Sequence, residues 1–242
     1  MSSCRQHLMS ESNLFWVAVQ SNVLADLINV KDGFKEALQE MKEELEMKGW
    51  IIPKLQANMR NQVNIANIDV EKGDSYYEMQ TSIEKLKSWS SLVGEVPLLF
   101  KVNMHDWKRK KGEVLKHCVE VMNQKNDKNV VVLWDYDYYF KDVADDIKRV
   151  AKDKKVVAYP STKSKKDGIS GVKDFVEKND HILVTEDRYF NGCEGSNVIF
   201  LTYGMPGVRN CVMRGVENVI IVELMGGGEA KLKGVKVDDR FL

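Results

Sequence analysis

The sequence predicts an α/β fold, a mainly parallel sheet with helices on both faces. Two observations carry that expectation. Short, unbroken apolar runs recur at residues 14–19, 51–55, 97–102, 130–134, 156–159, 181–185, 197–202 and 218–224, which is how strands read when both of their faces are buried. Segments with apolar residues at helical spacing lie between them, and strand alternating with helix over this length gives a doubly wound parallel sheet. With 242 residues, 43% of them hydrophobic, the chain can enclose a real core.

Taken in order, strand 14–19 is followed by a helix over 31–48, where Phe34, Ala37, Leu38, Met41, Leu45 and Met47 share one face and Lys and Glu occupy the other. Strand 51–55 leads into an apolar helix face at Val63, Ile65 and Ile68. The polar, turn-forming stretch Asp69-Val-Glu-Lys-Gly-Asp-Ser75 then marks a boundary. Further helices are expected over 75–92, 110–122, 140–151 and 169–176. Gly226-Gly227-Gly228 opens a charged stretch that reads as a flexible end. The expected organisation is therefore an N-terminal segment 1–70, the remainder of the lobe over 71–224, and a tail over 225–242. No repeat or low-complexity tract interrupts it.

Composition narrows the function classes. Lys+Arg and Asp+Glu balance at 36 each, so any contact with nucleic acid must come from a local patch. Cys4, Cys118, Cys193 and Cys211 have no CxxC spacing, and His7, His105, His117 and His181 are equally dispersed, so no metal site is expected. Scattered thiols fit a reducing compartment, cytoplasmic or nuclear. Nowhere do about 18 apolar residues run together, and no membrane partner is expected.

Most of the chemistry lies in residues 184–222. Val184-Thr185-Glu186-Asp187-Arg188-Tyr189-Phe190-Asn191-Gly192-Cys193-Glu194 reads as a strand and a Gly/Glu loop, ahead of strand 197–202. Val208-Arg209-Asn210-Cys211-Val212-Met213-Arg214-Gly215 reads as an arginine-bearing helix ahead of strand 218–224. A guanidinium stays charged and donates bidentately to phosphate, so a fixed arginine stabilises charge on a transferring phosphoryl group. Upstream, Ile52-Pro53-Lys54-Leu55-Gln56-Ala57-Asn58-Met59-Arg60-Asn61 places Arg60 at a helix start, where the helix dipole disfavours a cation. Recruitment of phosphate would justify that cost, and pairing with a neighbouring carboxylate is the plainer alternative. The Gly/Glu loop has its own plain reading, a strand-to-strand connection in which glycine supplies a positive φ.

In this order the segments resemble the fifth and sixth motifs of superfamily 1 helicases of the UvrD/Schlafen-like kind, F-x-G-x-E and R-x-x-x-x-R. Residues 52–61 resemble the fourth motif, L-x-x-N-x-R-N/S. Gln20, ending the strand Phe15-Trp16-Val17-Ala18-Val19, stands where the third motif has its Gln, without the preceding G-D. The resemblance covers residues 14–224 as one lobe, the second RecA-like lobe of the helicase core.

That resemblance implies a RecA-like, P-loop NTPase-like sheet with Arg60 and Arg214 as catalytic arginines. It places Gln20, Arg60, Gly192, Glu194, Arg209 and Arg214 around a nucleotide, and Thr185 and Asn191 on a nucleic-acid backbone. Both catalytic arginines are expected at the carboxyl ends of strands, which gather on one edge of a parallel sheet. Where the family has T/S-R-A this chain has Met213-Arg214-Gly215, without the hydroxyl. No G-x-x-x-x-G-K-[S/T] occurs, so the phosphate cradle belongs to a first lobe. ATP and Mg²⁺ are then expected only where a P-loop-bearing lobe, upstream of Met1 or on another chain, completes the site, and this lobe alone is expected to be inactive. The implied partner is single-stranded DNA or RNA, with the basic cluster Lys163, Lys165 and Lys166 following its backbone.

Two other readings stand beside this one. Val130-Val131-Val132-Leu133-Trp134-Asp135-Tyr136-Asp137 is how a haloacid-dehalogenase-like phosphatase presents Asp135 as nucleophile and Asp137 as general acid. Alternatively, a degenerate lobe serves as an interaction or regulatory module. Trp107, beside Lys108-Arg109-Lys110-Lys111, is a candidate for stacking on a base.

Overall fold

The computed structural model describes residues 40, 43–44, 47–48, 61–71, 90–126, 128–134, 138–160, 165–190, 193–203, 211–226 and 231–242, so the strands expected at 14–19 and 51–55 lie outside the described residues. The chain divides into two compact units, Met1–Ile51 and Ile52–Leu242. The sheet belongs to the second unit.

A short helix α1 (Val63–Ala66) and strand β1 (Asp69–Glu71) come first. Strand β2 (Leu98–Asn103) runs directly into the long helix α2 (Met104–Lys125). Then follow β3 (Val130–Trp134), a 3₁₀ turn (Tyr138–Phe140), α3 (Val143–Val150), β4 (Lys155–Tyr159) and α4 (Lys165–Glu177). After β5 (His181–Glu186) and a second 3₁₀ turn (Asp187–Phe190), strands β6 (Gly195–Tyr203) and β7 (Gly215–Met225) complete the centre. Short strands β8 (Lys231–Lys233) and β9 (Lys236–Asp238) follow.

Seven strands form one sheet in the order β4-β5-β3-β6-β7-β2-β9, and every neighbouring pair is parallel. The fold is α/β and consistent with a RecA-like or Rossmann-like arrangement. Strands β1 and β8 pair separately as an antiparallel ribbon.

Both faces are covered, which accounts for the unbroken apolar runs. Alternate strand residues point to opposite faces. Phe100, Val102, Val130, Val132, Ile182, Val184, Ile199, Leu201, Ile220 and Val222 pack with Val114, Leu115, Cys118, Val119 and Met122 of α2 and with Val143 and Ile147 of α3. Leu99, Val131, Leu133, Leu183, Val198, Phe200, Val219 and Ile221 meet Ile65, Ile68, Phe190, Cys211 and Val212, with Val172 and Phe175 of α4 beside them. Helix α2 begins six residues before its periodic stretch because Asn103 caps it, accepting from His105 N at 2.9 Å, and Asp106 complements the dipole in the first turn. No described helix is long and apolar enough to cross a membrane.

The tail is the clearest departure from the sequence reading. Residues 231–242, read as part of a flexible end, carry β8 and β9, and β9 extends the sheet beside β2. Phe241 is buried edge-on against Phe100 and His117, at 5.5 and 5.8 Å between ring centroids. Lys110 Nζ donates to Phe241 O at 2.8 Å, and Arg240 joins Asp238 to His117 Nε2. One buried aromatic ring holds a stretch whose composition looks solvated.

Candidate functional site

Because every strand of the large sheet runs the same way, the sheet has one amino edge and one carboxyl edge. Arg214 precedes β7 and so sits at the amino edge, which corrects the expectation that it follows a strand at the carboxyl edge. A turn of helix at Cys211 and Val212 ends in a two-residue turn, with Arg214 N donating to Cys211 O at 3.0 Å, before β7 begins at Gly215. Gly195 opens β6 directly opposite Gly215 and donates its N–H to Arg214 O at 2.9 Å. A Cβ on Gly215 would stand 2.3 Å from Val219 Cγ2, and one on Gly195 would stand 2.8 Å from Val131 Cγ2. Glycine at 215 thus has a packing reason.

The third participant comes from far away in sequence. Asn61 donates its amide to Met213 O at 3.0 Å and to Gly215 O at 2.6 Å, across separations of 152 and 154 residues, and is buried. Asn61, the start of β6 and the arginine turn therefore meet at one place. Arg214 is 5% exposed, so its side chain is held within the lobe in this arrangement. Glu194, just ahead of β6, is exposed.

Beside this cluster a chain of asparagines closes the amino ends of the central strands. Asn218 Nδ2 donates to Asn197 Oδ1 at 2.9 Å, and Asn197 Nδ2 donates to Asn126 Oδ1 at 2.6 Å. Asn126 Nδ2 donates to Glu217 Oε2 at 3.2 Å, and Lys128 Nζ also donates to Glu217. Asn129 accepts from His181 N at 3.0 Å and donates to Phe175 O and Lys178 O. The sequence reading passed over these residues. A signal was present, since Asn-Val stands ahead of three apolar runs, at Asn129-Val130, Asn197-Val198 and Asn218-Val219.

The other candidates are dispersed. Thr185, one residue before the end of β5, lies at the carboxyl edge, opposite to Arg214, and it is buried, with Oγ1 donating weakly to Glu186 O at 3.4 Å. Like the Arg214 side chain, its hydroxyl is held away from the surface in this arrangement. Lys165 and Lys166 lie in the first turn of α4, after the carboxyl end of β4, where only the backbone is described. Gln20, Arg60, Asn191, Gly192, Arg209, Lys163, Asp135 and Asp137 lie outside the described residues. Trp107 is buried, stacks edge-on against Phe140 and donates Nε1–H to Tyr139 O at 3.2 Å, so it belongs to the core. Burial pushes the Cys118 thiol far above its ordinary range, which makes it inert. Among the described residues no group of three or more His, Cys, Asp or Glu is placed to hold a metal ion.

Comparison with protein-family models finds no match for this chain, and comparison with curated proteins finds none either.

Proposed function

We propose that this chain is the second lobe of a superfamily 1 helicase-like ATPase, supplying Arg60 and Arg214 to an ATP site that a P-loop-bearing lobe completes. One observation carries the reading. Asn61 of the fourth-motif-like segment holds the turn bearing Arg214 of the sixth-motif-like one at the amino edge, and Gly195, the residue after the Gly/Glu loop, donates to Arg214 O beside it. Contact with phosphate then requires the side chain to turn outward, weakly toward a free polyphosphate and fully as the other lobe closes, a common way for closure to complete a catalytic constellation.

On this reading, the role of ATP-bound Mg²⁺ is to neutralise charge on the phosphates, and it is held by the other lobe. The part of this chain is to present guanidinium groups to the same phosphates. The purified chain is expected to hydrolyse ATP no faster than buffer, with or without an oligonucleotide, and to bind inorganic tripolyphosphate weakly. Replacing Arg60 or Arg214 by Ala should reduce that binding. Mg²⁺-dependent turnover abolished by Asp135→Asn would replace this reading by the phosphatase. Tripolyphosphate binding indifferent to both arginines would leave the interaction module as the better account.

A further inference from the structure

We infer that Asn61 is the positioning residue of Arg214, a role that rests on the reading of Arg214 as a phosphate contact. Its carboxamide donates to the carbonyls on both sides of the arginine, Met213 O and Gly215 O, while the carbonyl between them, Arg214 O, accepts from Gly195 N. Three successive carbonyls are thereby fixed from two other segments of the chain, and Arg214 N is tied to Cys211 O. The backbone from which the guanidinium departs has no freedom left on either side. A merely buried asparagine needs its hydrogen bonds satisfied somewhere, but nothing requires both donors to bracket one arginine.

Residue type decides what this clasp can do. An amide NH₂ has two donors and serves two carbonyls, whereas a serine hydroxyl has one and a shorter reach. The position is Asn or Ser in the motif that the segment resembles. With Asn, this chain has the residue able to hold both carbonyls.

The test uses the full chain and separates positioning from stability. The Nε–Hε resonance of Arg214, assigned by its loss in Arg214→Lys, reports the guanidinium directly, and calorimetry with inorganic tripolyphosphate reports its use. Asn61→Ala is expected to shift or broaden that resonance and to weaken tripolyphosphate about tenfold, the loss of one charge-assisted contact. Asn61→Ser should fall between, and it carries the test alone if Asn61→Ala does not fold. Phe241→Leu, which loosens the fold at the C-terminal strap, should lower the melting temperature without moving either signal. A lower melting temperature in Asn61→Ala and Asn61→Ser, with the Arg214 resonance and the affinity both as in the parent chain, would overturn the inference. If Arg214→Ala itself leaves tripolyphosphate binding unchanged, the phosphate reading fails, and the resonance alone still decides whether Asn61 holds the arginine.

Discussion

The amino and carboxyl edges of the one sheet are built differently. At the amino edge polar side chains are enclosed and hydrogen-bonded: Asn61, buried, to the backbone of the arginine turn, and Asn197, also buried, to the half-buried Asn218 and Asn126. At the carboxyl edge Thr185 is buried with one weak contact, and Tyr139 and Tyr203 meet ring to ring at 5.4 Å near the surface. Open α/β sheets usually take ligands at the carboxyl edge. Here the nucleotide candidates Glu194 and Arg214 gather at the other one, while Thr185 and the helix start bearing Lys165 and Lys166 belong to the carboxyl side. If the helicase reading is right, the two ligands are assigned to opposite ends of the same strands.

The largest expected effect tests whether the amino edge is held by its polar chain. Asn197→Ala leaves Asn126 Oδ1 and Asn218 Nδ2 without their partner in a half-buried place and should cost about 2 kcal/mol in urea unfolding at unchanged slope. Thr185→Val at the opposite edge removes one long hydrogen bond and should cost less than about 1 kcal/mol. Equal losses at the two positions would erase the contrast.

A smaller effect concerns the carboxyl side. With a net charge of zero, any binding of single strands must use a local patch, so affinity should fall with salt by a slope of only about two to three phosphates. Replacing Lys163, Lys165 and Lys166 by Ala should flatten that slope. Fluorescence anisotropy with a labelled oligonucleotide measures it. Equal flattening by Arg214→Ala would instead put nucleic acid at the amino edge and break the division of ligands.

The sheet was legible because burial on both faces writes itself into the sequence as runs such as Val130-Val131-Val132-Leu133. The start of α2 was not, since its first turn is polar and the capping Asn103 has no apolar period to announce it. The tail was misread for the same reason: β9 is Lys-Val-Asp, and its anchor is a single Phe241. Trp107 beside four basic residues looked like a stacking ring, yet its indole fills the space against Phe140, a fact of packing that spacing does not carry. The arginine turn was recognised, but its edge was mistaken, because a residue on a crossover between parallel strands is as close to the next strand's start as to the last one's end. What joins Asn61 to Met213 and Gly215 is purely tertiary, and no local pattern announces it.

The smallest effect lies on the surface of the amino edge. Lys155 opens β4 and donates to Asp174 of α4 at 2.8 Å, and this hydrogen bond, with the charges of Lys155 and Lys178, holds the Asp174 carboxyl below its usual range. A carboxyl depressed in the folded state stabilises the fold at pH above its unfolded value, about 3.9, and that contribution is lost as pH falls through the lower folded value. Stability should therefore decline below roughly pH 4 in the parent chain, and Asp174→Asn should remove a small part of that decline while leaving neutral pH almost unaffected, as expected for an exposed pair. Urea midpoints measured from pH 3 to pH 7 in the two proteins give the comparison. An identical acid limb in both would show that the pair does not steady the amino edge and that the buried asparagines alone hold it. A loss of stability at neutral pH as large as that of Asn197→Ala would make the surface of this edge as important as its interior.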